Sequence, residues 1–221
     1  MDQDKLVALL ESHGSFPLSG YGLEQPEEPT APTVLAHLFN AMLTSARISH
    51  ELATKSVKCM IEANYHDLET LKKSSWEERT EVLTKGGYTR YREKTATGLG
   101  ELAELLSSKY DGDLNKLRES AGDDPHKVRE LIKEIKGFGE VGTNIFQDTV
   151  QAVWPCMAPY VDPRSYDVAE ELGLSKDVQA LWRGVGEDAV KMAKLCTALT
   201  TVRLEKRVDD FKEEAGDGDT E

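Results

Sequence analysis

Apolar residues recur along this chain at three-to-four spacing, and nowhere do they alternate one by one. Val34, Leu35, Leu38, Met42 and Leu43 mark an amphipathic helix from Thr33 onward, and HELATKSVKCMIEA a second one after a break near Ser45–Ser49. Ser75-Trp76-Glu77-Glu78 reads as a capping box that opens a helix ending at Gly86-Gly87. Leu99, Leu102, Leu105 and Leu106 predict a longer helix over 90–109. Asp124-Pro125 opens another, because an aspartate cap followed by proline suits a helix start, and it runs through LIKEIK to Gly137. Further helices are predicted over 5–12, 140–153, 164–172, 176–183 and 187–208, the first ended by Gly14. FPLSGYGLEQPEEPTAP, with four prolines and two glycines, reads as an extended loop. The fold class is therefore all-α.

No apolar run approaches the ~20 residues that a membrane span needs, and MDQDKLVALLES has no signal-peptide pattern, so an intracellular protein without a membrane partner is expected. Cys59, Cys156 and Cys196 lie far apart and form no C-x-x-C pair, which argues against a thiolate metal site and for buried, reduced thiols. The five histidines show no metal spacing, and His37 is expected to face the core. Net charge is −13, which excludes a broad basic nucleic-acid face. Residues 209–221 hold seven acids and one lysine, a net −6 that leaves −7 for the body, and they read as an acidic disordered tail.

Against that acidic background, Ile135-Lys136-Gly137-Phe138-Gly139 stands out. A helix ends at Gly137 and another begins near Glu140, so a tight hairpin joins them, with Phe138 tucked into the joint. The first amides of the second helix have no intrahelical partner, and such a group binds a phosphate oxygen without any lysine. A plain helix–turn–helix joint explains the glycines equally well. The second GVG, Gly184–Gly186, reads as a helix boundary. Downstream of the hairpin, PYVDPRSYDVAEELGL sets Asp162 at the mouth of a helix, after the apolar Val161.

The hairpin followed by an aspartate in a Val-Asp context resembles the helix-hairpin-helix DNA glycosylase superfamily, the endonuclease III-like repair enzymes. LAHLFNAMLTSARIS resembles the helix and loop with which that family fills the gap left by an extruded base, and GGYTRYREKTATGLGEL its glycine-aromatic-basic turn; the likeness covers residues 33–175. It implies a single domain over 1–208 with two lobes, the middle one about 33–153 and the other built from the N- and C-terminal helices. It further implies a monomer acting on double-stranded DNA, in the nucleus if the cell has one. Asp162 takes the catalytic role by resemblance, and it is also an ordinary helix N-cap. DNA contact is implied for Gly137, Phe138, Gly139, Val141, Gly142, Arg47 and Ile48, with Tyr88, Arg90 and Arg164 as further candidates for DNA or base contact. Arg47 would fill the hole left by the flipped nucleotide and Ile48 would act as a wedge. The bland alternatives are a solvent-facing Arg47 and tyrosines packed beneath the long helix.

The chain departs from the family pattern in two places. Bifunctional members carry a nucleophilic lysine two residues after the second hairpin glycine, and Val141 stands there. Many members hold an iron–sulfur cluster on four cysteines, whereas only Cys196 follows Asp162. The resemblance thus implies a monofunctional glycosylase with no cofactor. A catalytically silent DNA-binding relative, or a helical protein-interaction domain that has lost DNA, are the alternatives.

Overall fold

The computed structural model describes residues 2–205; among them are twelve α-helices and one 3₁₀ turn, with no strand. In chain order the helices are α1 (Gln3–His13), α2 (Ala31–Thr44), α3 (His50–Glu62), α4 (Leu68–Lys73), α5 (Trp76–Lys85) and α6 (Arg92–Lys109). They continue with α7 (Leu114–Ser120), α8 (Pro125–Lys133), α9 (Glu140–Val150), α10 (Pro163–Glu171), α11 (Val178–Gly184) and α12 (Ala189–Glu205); the 3₁₀ turn is Pro155–Met157. No described helix is long and apolar enough to cross a membrane. The expected acidic tail at 209–221 lies outside the described residues.

The described chain divides into two compact units, Leu18–Phe146 on the one hand and residues 2–17 with 147–205 on the other. The first unit starts earlier than the expected residue 33 because the proline-rich loop is tied down. Leu18 is buried, the Thr33 hydroxyl donates to the Gln25 carbonyl, and the Tyr21 hydroxyl donates to Thr54.

In the Leu18–Phe146 unit α2 is buried nearly all round, which fits a helix so uniformly apolar. Thr30 caps it, accepting from the Thr33 amide at 3.2 Å, and a proline stands in its first turn. The predicted capping box of α5 is present with both bonds, Glu78 N–H to the Ser75 hydroxyl and Ser75 N–H to the Glu78 carboxylate. Gly86 lets α3 approach: a Cβ there would lie 2.6 Å from the Ser56 Cα. Two short helices, α4 and α7, were not expected; each is capped by an aspartate, Asp67 and Asp113.

The expected ends of the two helices that flank the hairpin move inward. α8 stops at Lys133, after which the Ile135 amide bonds three residues back to Ile132 and the segment to Gly139 forms the turn. α9 stops at Val150 instead of 153. Both Val153 and Trp154 donate to the Val150 carbonyl, and Pro155 disfavours helical backbone in the residue before it.

In the other unit, Leu6 and Leu9 of α1 share a core with Leu195, Leu199 and Val202 of α12, with Val168 of α10 and with Leu172, which caps the end of α10. Val161, the neighbour of Asp162, is buried in that core. Cys59 and Cys196 are buried as expected, but Cys156 is only half-buried, because it sits in the 3₁₀ turn and not on a core helix. No cysteine among the described residues is in a disulfide.

Candidate functional site

The hairpin belongs to the Leu18–Phe146 unit and has the expected local form. Gly137 adopts φ +96°, a region L-residues rarely enter, and a Cβ there would meet nothing, so backbone conformation alone calls for glycine. Phe138 is buried and its amide donates to the Ile135 carbonyl at 2.9 Å, closing the turn. Gly139 has ordinary φ and open space around it. Gly142 is tightly placed: a Cβ would lie 3.2 Å from the Phe138 ring and 3.4 Å from the Ser45 hydroxyl. The hairpin therefore adjoins the turn that carries Arg47 and Ile48. Val141 is 45% exposed.

Arg47 is exposed in that turn between α2 and α3, and Ile48 beside it is half-buried, its amide bonded to the Ala46 carbonyl. Arg47 forms no ion pair with a described residue. Charge at the start of α9 is already partly balanced within the unit. Glu140 pairs with Arg129 and with Lys133, the latter at 2.8 Å, and Arg129 also donates to Asn144. The hydrogen bond from Lys133 holds the Glu140 carboxyl below its ordinary range. Lys136 pairs with Glu101.

Of the aromatic–basic cluster, the Tyr88 ring is not a contact surface. It is 4% exposed, and its hydroxyl accepts from Thr95 on α6. Arg90 is exposed and lies over the Tyr91 ring, 5.1 Å from its centroid. His37 is fully buried, which pushes its pKa down to about 3 and keeps it neutral at physiological pH.

Asp162 lies in the other unit, as the N-cap of α10, and is 2% exposed. Its Oδ1 accepts from the Arg164 amide and from Arg164 Nε, both at 3.0 Å, and its Oδ2 from Arg164 Nη2. Burial pushes the Asp162 carboxyl up; the bonds from Arg164 and the charges of Arg164 and Arg203 outweigh it and hold the group below the ordinary carboxylate range. It is ionised at neutral pH. Arg164, a candidate for DNA or base contact, is the counter-ion of Asp162, with its side chain still 41% exposed.

What sequence reasoning missed is a row of buried polar side chains at the end of α9 and just after it: Gln147, Asp148 and Gln151. Gln147 donates to the Met157 carbonyl at 3.0 Å. Gln151 accepts from the Tyr160 amide at 3.1 Å and donates to the Tyr160 carbonyl at 3.0 Å. Asp148 Oδ1 accepts from the Asp162 amide at 2.9 Å. Three side chains therefore hold the backbone of the loop that delivers Asp162. Burial drives the Asp148 carboxyl up to about 7, against the lowering pull of the Asp162 amide, the Cys196 thiol and the charge of Arg203. The signal was present in the sequence. In NIFQDTVQAVW, amides and an acid fall at one-, three- and four-residue steps on a helix whose remaining positions are largely apolar.

No group of three or more histidine, cysteine, aspartate or glutamate side chains that could hold a metal ion comes together among the described residues. No protein-family model matches this chain, and no curated protein matches it.

Proposed function

We propose that the chain is a two-lobed helix-hairpin-helix DNA glycosylase that hydrolyses the N-glycosidic bond of a flipped, damaged or mismatched base in double-stranded DNA. It acts as a monomer, without an iron–sulfur cluster and without the lyase step. The observation that carries this reading is Asp162: a buried carboxylate held ionised at a helix N-terminus, on a loop whose backbone is fixed by three side chains. Departure of a base leaves cationic oxocarbenium character on the sugar, and a fixed carboxylate stabilises that charge and orients the attacking water. The Gly137 turn and the unsatisfied first amides of α9 supply phosphate binding without basic side chains, which suits an acidic chain. Val141 offers no amine for a Schiff base, so strand cleavage is not part of the reaction.

One observation favours the second reading, a silent DNA-binding relative. Both Asp162 oxygens are taken by Arg164, which partly neutralises the charge that the reaction needs. Single-turnover base release from duplexes carrying uracil, thymine mismatches, oxidised and alkylated bases separates the two. The expected result is alkali-dependent strand breakage at one class of substrate, reduced at least ~100-fold in Asp162→Asn. Breakage without alkali would overturn the monofunctional assignment. Salt-dependent DNA binding with no release from any duplex would establish the silent relative.

A further inference from the structure

Asp148 is the charged member of the α9 row, and its position differs from that of its two amide neighbours. Gln147 and Gln151 hold the Met157 and Tyr160 backbone, whereas Asp148 holds the backbone of Asp162 itself. The groups facing it come from every side of this unit. Asp162 caps α10 and Arg164 and Tyr166 stand in its first turn, while Tyr160 of the preceding loop acts on Arg164; Cys196 and Arg203 come from α12. The Cys196 thiol lies 3.2 Å from the Tyr160 carbonyl and is also hydrogen-bonded with Asp148, and burial raises its pKa well above the ordinary thiol value, so it stays neutral. The Arg203 Nε is buried with no hydrogen-bond partner among the described residues, so this guanidinium acts on the cluster chiefly through its charge.

We propose that Asp148 is the positioning residue of the Asp162 site: its carboxylate fixes the Asp162 backbone, and its state of ionisation sets the net charge around that residue. With Asp148 ionised, two carboxylates face two guanidiniums and the cluster is balanced. With Asp148 protonated, the amide bond to Asp162 loses its charge assistance and the cluster carries one net positive charge. A positive cluster opposes the cation that forms on the sugar, so base release falls as Asp148 takes up a proton. The part concerning base release rests on the glycosylase reading; the part concerning the Asp162 backbone does not.

The test uses the full chain, ¹⁵N-labelled, with the Asp162 amide followed by NMR from pH 5 to pH 9 in wild type and Asp148→Asn. In wild type the amide resonance should titrate with a midpoint near pH 7. In Asp148→Asn, which keeps an acceptor oxygen, it should be flat. Base release by wild type should fall by up to about thirtyfold from pH 8 to pH 5.5, the most that titration of one group near pH 7 allows over that range, and the variant should lose that pH limb. A merely structural Asp148 would move neither readout. A flat Asp162 amide in wild type, a measurement that needs no variant to fold, overturns the proposal, as does a titration that persists in Asp148→Asn. If the amide titrates as expected but wild type releases no base from any duplex, the backbone role stands and the glycosylase reading fails.

Discussion

Glu140 and Asp162 both stand at helix N-termini, one in the first turn of α9 and one capping α10, and each is met by an arginine. Their surroundings separate them. The Glu140 side chain is 61% exposed and shares its charge with Arg129 and Lys133, so water and salt compete for every partner. Asp162 has almost no water, and its partners are fixed: the Arg164 fork on its oxygens and the Asp148 carboxylate on its amide. Removing a partner from the exposed group costs little, whereas removing one from the buried group strands a charge or an amide. Two acids with the same local motif thus differ in what they can do.

The sharpest way to break this comparison is to neutralise Asp148, where the expected stability effect is largest and opposite in sign to that at Asp162. A carboxyl raised from 3.8 to about 7 on folding binds a proton in the folded state that the unfolded state has released. Its cost is absent below the unfolded pKa, grows between pH 3.8 and pH 7, and is complete above. The upper bound is about 4 kcal/mol. Asp148→Asn should therefore raise the stability measured by urea unfolding at pH 8, by as much as that bound, and leave it nearly unchanged at pH 3.5. An equal change at both pH values would show that packing, not ionisation, governs the site.

Asp162 is the next largest effect. Its carboxyl is held down on folding, so its contribution is complete above the unfolded pKa of 3.8 and is lost as pH falls through the lower folded value. Asp162→Ala removes the cap of α10 and leaves Arg164, still partly solvated, without its partner. The expected loss is about 2–3 kcal/mol at pH 7, less than for a fully buried pair. Asp162→Asn keeps the capping oxygen and should lose roughly half as much. Base release should not follow that proportion, falling severely in both variants. That contrast separates the capping role of Asp162 from its proposed catalytic one.

The helices on long apolar periods, the α5 capping box and the Gly137 turn were all legible in the sequence, because each depends on residues close together in the chain. The α9 polar row was not read, although its residues are adjacent. Gln147, Asp148 and Gln151 carry a polar pattern in the sequence, but what they hold shows only once the loop from Met157 to Asp162 is laid against them. The pairing of Arg164 with Asp162 escaped for the same reason, and only tertiary environment chooses the packed reading of Tyr88 over the exposed one. A serine-to-glutamate cap can be seen in four letters, but the charge state of a buried aspartate cannot.

Within the hairpin the two glycines make a smaller comparison of the same kind. Gly137→Ala must place a Cβ at φ +96°, and should cost about 1–2 kcal/mol even though space is open around it. Gly139→Ala meets neither strain nor a neighbour, and should be neutral or stabilising by up to about 1 kcal/mol through the unfolded chain. Urea unfolding of both variants checks this. Equal losses would mean that the turn, not the φ angle of one residue, is what glycine serves.

The smallest effect returns to Glu140. It has two cationic partners and a favourable helix-dipole position, so counting interactions would rank it above Asp162. Exposure reverses that ranking, since each bond exchanges with water and each charge is screened. Glu140→Ala should cost under about 1 kcal/mol in low salt and less in 0.5 M salt. Arg129 is the reason the loss is not zero: its side chain is only 15% exposed, but it retains Asn144 as an acceptor after Glu140 is gone. A loss as large as that of Asp162→Ala, unchanged by salt, would show that the Arg129 pair behaves as a buried one and that the two helix N-termini are alike after all.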